Sequence, residues 1–233
     1  MAQEALEARG KKGECTPVGA GISMTYNEAA EGDGCEKGGY VTLSLGADRQ
    51  WDHGVAKAVA RGLDTLLSHM GIEPQCTLVV GLGNRLLLCD RLGTDTVDRL
   101  RPDEKMRLFC PMVRDQTGMD TADLVAAVAH VAHPDLVVAV DALVCRSPNR
   151  LMRTVQLSSA AFVPGGGVGV PQKKLCADSL GVPFVCMGVA MLSFVDPFGG
   201  TLCVTVQDIE KQGATVASVL SAALDIRLRK ERL

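Results

Sequence analysis

Two apolar runs without polar alternation stand out along the chain, one at residues 77–80 (Thr-Leu-Val-Val) and one at 136–140 (Leu-Val-Val-Ala-Val). Short, bounded runs rich in valine and leucine predict strands buried on both faces, which belong to a parallel sheet in an α/β protein. Each run leads to an aspartate. The first continues through Gly81-Leu-Gly-Asn84 and Arg85-Leu-Leu-Leu-Cys89 to Asp90, and the second is followed directly by Asp141. In open α/β sheets, ligands bind beyond the carboxyl ends of the strands. The pattern therefore sets Asp141 on a strand end and Asp90 in the loop leaving another, with one shared site as the expectation.

Around these two strands the remaining pattern predicts an alternation of strands and helices. Residues 1–39 are polar and glycine-rich, broken by a short strand at 21–26, and 27–39 reads as an exposed loop. Residues 40–45 alternate and carry strand formers, predicting an edge strand paired with the first as an N-terminal hairpin. Val55, Val59, Leu63, Leu66 and Leu67 have helical spacing over 53–70, closed by Gly71. A helix follows over 91–100, then a strand over 108–113. Asp120 starts a helix that ends before Pro134. Strands are expected at 154–157 and 183–189, a short helix at 173–180, and a last helix at 207–227. Its stripe is Ile209, Gly213, Val216, Leu220, Ala223 and Arg227. The alternation predicts one α/β layered domain over 1–233: a mostly parallel central sheet flanked by helices, phosphorylase/hydrolase-like, with an N-terminal edge hairpin.

Composition narrows the function classes. The chain has 233 residues, a net charge of −3 and 47% hydrophobic residues, which suits a globular fold and offers no polyanion-binding surface. Nucleic acid is not an expected partner. The N-terminus lacks an apolar leader core, and no stretch is long enough to span a bilayer, so a membrane is not expected either. Nine cysteines, scattered and without a Cys-x-x-Cys pair, read as reduced thiols in a cytoplasm.

Several motifs carry candidate chemistry. Gly81-Leu-Gly-Asn84 after a strand begins a dinucleotide fingerprint, but position 86 is leucine where the third glycine is needed. The glycines are better explained by a sharp backbone turn. Pro164-Gly-Gly-Gly-Val-Gly-Val-Pro171 lacks the Walker spacing; it is either a plain loop or a backbone that lies along an extended substrate. His130 and His133 precede Pro134, at the end of the Asp141 strand away from the crevice, where a helix C-terminus suits them. Ser158, Ser159 and Cys145 are nucleophile types without a histidine placed by any signature. The aspartates are the stronger candidates. A carboxylate at the end of a buried strand is costly unless paired, bonded or functional. Two that approach each other supply one ionised base and one protonated acid, although a turn or cap role explains any single aspartate.

The order of these pieces resembles the germination protease family of spore-forming bacteria. The matching segments are Gly39-Tyr-Val-Thr-Leu43, Leu78-Val-Val-Gly-Leu-Gly-Asn84 with Asp90 and Gly93, and Thr117-Gly-Met-Asp-Thr121. They continue with Val138-Ala-Val-Asp-Ala-Leu143 and Arg146-Ser147, Thr154-Val-Gln-Leu157, Pro164 to Gly169, Leu180-Gly-Val-Pro183, and Gly188-Val189. The resemblance implies an atypical aspartic endopeptidase, similar in fold to hydrogenase maturation proteases, with Asp90 and Asp141 as the catalytic pair. It further implies small acid-soluble spore proteins as substrates, a homo-oligomer (a tetramer), a cytoplasmic location in the spore core, and neither metal nor other cofactor. Asn84, Gly165, Gly166 and Gly167 are the matching candidates for substrate binding. The chain departs from the family pattern at Leu88-Cys89, at Thr94 and at Ala190, and its N-terminal segment lacks a recognisable propeptide region. The alternatives are a metal-dependent hydrogenase-maturation type, which requires a histidine after Asp141 that this sequence lacks, and a non-catalytic regulator on the same fold.

Overall fold

The computed structural model describes residues 2–11, 13–165, 173–196 and 202–230. Among them the chain order is α1 (Ala2–Ala8), β1 (Cys15–Gly19), β2 (Ile22–Ala29), β3 (Gly38–Leu45), α2 (His53–Met70), β4 (Thr77–Gly81), α3 (Leu92–Val97), β5 (Met106–Phe109) and α4 (Arg114–Thr117). It continues with α5 (Thr121–Ala132), β6 (Leu136–Cys145), β7 (Thr154–Ser158), α6 (Ala177–Leu180), β8 (Phe184–Val195), β9 (Leu202–Val204) and α7 (Ile209–Leu228). The strands form one sheet in the order β1-β2-β3-β7-β8-β6-β4-β5, with β9 added on β8.

The α/β architecture with a large sheet flanked by helices is the one expected, and the apolar runs are its centre. All five residues of β4 are buried, as are the first six of β6. Parallel pairing joins β5, β4, β6 and β8. The other half of the sheet is antiparallel, through β1, β2, β3 and β7, so the sheet is mixed where the apolar runs alone suggested a mostly parallel one. Residues 40–45 lie inside β3, between β2 and β7, and are not an edge strand; β1 takes the edge. Their alternation arises because the two faces of β3 meet different surroundings.

One face of the sheet carries Val41, Leu43, Val155, Leu157, Met187, Val189, Val138 and Val140, packed with α2 and α7. Side chains alternate along a strand, so Thr42, Gln156, Cys186, Ala139 and Asp141 point to the other face. There α5 and α6 cover the β4–β6–β8 end through Val125, Ala129 and Leu180. Two of the helices have well-formed caps. Asp52 accepts from Val55 N at the start of α2 and Gly71 ends it at φ 68°; Asp120 accepts from Ala122 N at the start of α5. The α7 stripe is buried as expected from Gly213 to Arg227, and Arg227 bridges Asp64 at 2.7 Å and Glu73 at 3.0 Å.

Other boundaries differ for local reasons. The strand expected at 108–113 is β5, ending at Phe109, because Pro111 cannot donate to a ladder and Met112 turns at φ 65°. The helix expected at 173–180 begins only at Ala177. Residues 183–189 belong to β8, which runs on to Val195. Residues 1–39 are more ordered than their polarity implies: α1 buries Leu6 against Ala29, Tyr40 and Ala160, and β2 extends to Ala29.

Candidate active site

The site grows from a step in the sheet. β4 ends at Gly81, paired with Val140, while β6 continues beside β8 through Asp141↔Gly188 to Cys145. Asp141 is therefore mid-strand, not at a strand end as its apolar run suggested; Ala142-Leu-Val-Cys145 are themselves strand formers with a partner in β8. Asp141 is the first β6 residue beyond the end of β4. Leu82 N still donates to Val140 O at 2.9 Å, and the chain then leaves β4 into the loop that carries Asp90.

That loop closes on the Asp90 carboxylate. Asn84 N donates to Asp90 Oδ2 at 2.7 Å. Leu87 N donates to Asn84 O and Asp90 N to Leu87 O. Gly83 has φ +100°, and a Cβ placed on it would stand 1.8 Å from Asp90 O; only glycine fits this return of the chain. The second glycine of the incomplete dinucleotide motif thus serves the placement of Asp90. Arg85 forms an ion pair with Asp98, beyond α3, which holds the loop from its other side. Leu86 and Leu87 are left facing solvent, 80% and 52% exposed.

The electrostatics separate the two carboxyls. Asp141 is only 6% exposed, and burial first, then the charge on Asp90, pushes its pKa up to about 8, against an opposing hydrogen bond from Ala142 N–H. Asp90 is lifted above the ordinary carboxylate value by burial and drawn back by the Asn84 N–H. Asp141 is thus the carboxyl of the two that keeps its proton at neutral pH.

The other candidates fall as follows. Asn84 Oδ1 accepts from Leu86 N at 2.9 Å and from Gln116 Nε2 at 3.1 Å, so this oxygen is committed to the loop. Gly165 sits in a turn at φ 65°, while Gly166 and Gly167 lie outside the described residues. Ser158 Oγ accepts from Ala160 N and Ser159 Oγ from Gly39 N, each at 3.0 Å. Cys145 is buried, donates to Leu192 O, and its thiol is pushed up by burial. His130 and His133 stand at the carboxyl end of α5, next to the start of β6. Among the described residues no three His, Cys, Asp or Glu side chains cluster as a metal site, and no helix is long and apolar enough to cross a membrane. All nine cysteines are free. The residue that pattern reading did not single out is Gln156, which stands in the same cross-strand row as Asp141; in the sequence it is one of three polar residues that alternate with Val155 and Leu157 along β7.

The family model for germination protease matches residues 19–196. The germination protease of Priestia megaterium is 33% identical over 193 residues, covering 73% of this chain and 52% of that relative. That of Bacillus subtilis strain 168 is 33% identical over 182 residues, covering 70% and 50%. The chain spans about half the length of the curated relatives it matches. Among solved structures, the NiFe hydrogenase maturation protease HycI from Thermococcus kodakarensis is similar with a TM-score of 0.44 at 16% identity, over 70% of this chain and 98% of that one.

Proposed function

Because the chain belongs to the germination protease family, we propose that it is an endopeptidase that cleaves small acid-soluble spore proteins with the Asp90–Asp141 pair. The observation that carries the mechanism is the buried carboxyl of Asp141, its pKa pushed up to about 8 by burial and by the charge of the loop carboxylate of Asp90. Asp90 takes a proton from a water, whose oxygen attacks the scissile carbonyl carbon. Asp141 gives its proton to the carbonyl oxygen, and the resulting tetrahedral centre collapses with cleavage of the C–N bond as Asp141 takes back a proton from one of that centre's hydroxyls. The amine leaves with a proton returned from Asp90, and the new carboxyl group remains on the other fragment. The exposed Leu86 and Leu87 beside Asp90 offer an apolar rim for a substrate side chain. The location that goes with this reading is the cytoplasm of the spore core, and the assembly is a homo-oligomer.

The test is incubation of the purified chain with a small acid-soluble spore protein, with and without chelator, followed by mass spectrometry of the fragments. Discrete internal cleavage, unchanged by chelator and lost in Asp141→Asn, supports the reading. An intact substrate, or cleavage abolished by chelator and restored by added metal, rejects it.

A further inference from the structure

The antiparallel half of the sheet holds a second feature on the same face as Asp141. A cavity of about 360 Å³ opens there, with Tyr40, Gln156, Ser158, Cys186 and Leu143 among its sheet-side walls. Across it stands α1, held down by Glu4, which accepts from Arg146 N at 3.0 Å and Ser147 N at 2.9 Å. Gln156 is 6% exposed, yet its Nε2 has no hydrogen-bond partner among the described residues. Leaving a buried amide donor unbonded costs free energy in the empty protein, and a ligand acceptor in the cavity removes that cost.

The register gives the cavity a direction. Thr42 pairs with Gln156, Gln156 with Gly188, and Gly188 with Asp141. These residues form one row across three strand spacings, and every member points to the face that α2 and α7 do not cover. Gly188 contributes no side chain between Gln156 and Asp141. A Cβ there would meet Asp141 O and Leu143 Cγ, both at 2.6 Å, so the Leu143 side chain, which also lines the cavity, lies over the bare backbone between the amide and the carboxyl. Two strand spacings separate the Gln156 and Asp141 backbones by roughly 10 Å, which about three residues of extended chain span.

We infer that Gln156 is a substrate-positioning residue: its Nε2 donates to a backbone carbonyl of the bound peptide, about three residues from the bond cleaved beside Asp141. The inference rests on the endopeptidase reading above. A backbone carbonyl is the acceptor that every peptide offers at regular intervals, so this contact fixes the register of the substrate without selecting its sequence.

The decisive variant is Gln156→Met, which keeps the side-chain volume and removes the donor. Melting temperature, kcat and KM on a small acid-soluble spore protein are measured, together with anisotropy of the fluorescein-labelled substrate bound to the Asp141→Asn background. The expected result is a melting temperature equal to or above that of the parent, with KM and the dissociation constant raised by about five- to tenfold, the loss of one hydrogen bond. Gln156→Asn, which retracts the amide by one methylene, gives the same weakening and serves if the methionine variant does not fold. A lowered melting temperature with unchanged binding shows a structural amide and overturns the inference. Cleavage by the parent with unchanged KM in both variants overturns the inference alone. A parent that neither binds nor cleaves the substrate overturns the endopeptidase reading, and this inference with it.

Discussion

The charge of Asp90 reaches Asp141 across the end of β4 and, added to burial, keeps the Asp141 carboxyl protonated up to about pH 8. The effect depends on the step at Gly81, where β4 stops and β6 goes on.

The pair marks itself in stability as well as in chemistry. Asp141 holds a proton in the folded chain that the unfolded chain has released between about pH 4 and about pH 8. The unfolded state then binds fewer protons, so this residue lowers stability as pH rises through that window. Asp141→Asn removes the effect. Its stability relative to the parent should grow by about 1.4 kcal/mol per pH unit from about pH 5 to about pH 7, read by urea unfolding. Parallel pH profiles for the two proteins would reject the raised pKa.

Activity should follow a bell in pH. The acid limb is the ionisation of Asp90, above the ordinary carboxylate value, and the alkaline limb is the loss of the Asp141 proton near pH 8. These are apparent values of a coupled pair. A kcat/KM profile flat from pH 6 to about pH 9 is the result that sinks the acid role of Asp141.

Asp90→Asn and Asp141→Asn should each lower kcat by at least about a thousandfold, and the double variant by little more, because groups acting as a unit are not additive. Single-turnover rates on a spore protein give the comparison. Independent, multiplying losses would show that the two carboxyls do not share one reaction step.

Gly83→Ala tests the loop. The residue stands at φ +100° with Asp90 O in the way of any Cβ, so the variant should lose about 1–3 kcal/mol of stability or reshape the loop. Activity is expected to fall beyond the stability loss, since Asp90 moves with the loop. Full activity together with full stability would show that the loop tolerates another path.

Cys145→Ser should keep cleavage within about twofold of the parent, because the thiol is buried and donates to Leu192 O, an acceptor that a hydroxyl also satisfies. Complete loss of proteolysis in a folded variant would instead mark a cysteine mechanism.

Much of this architecture is legible in the order of residues. Continuous apolar runs mark β4 and the first half of β6 because a strand covered on both faces has no polar side to show. The 3.6-residue stripe marks α2 and α7, and Gly71 and Asp120 mark helix ends because capping is a contact between residues close in sequence. The ordered motifs from Gly39 to Gly188 identify the family, and they place Asp90 and Asp141 near the ends of the two runs. Periodicity reports how deeply a residue is buried, not what buries it, and there the sequence stops. That β3 is internal, that β7 joins it antiparallel, and that α1 folds down over the sheet follow from pairings between residues more than a hundred positions apart, such as Tyr40 with Ser158. The same long-range pairing decides the site. Only the assembled sheet ends β4 one residue short of Asp141, buries that carboxyl beside Asp90, and sets Gln156 in its row across the bare backbone of Gly188.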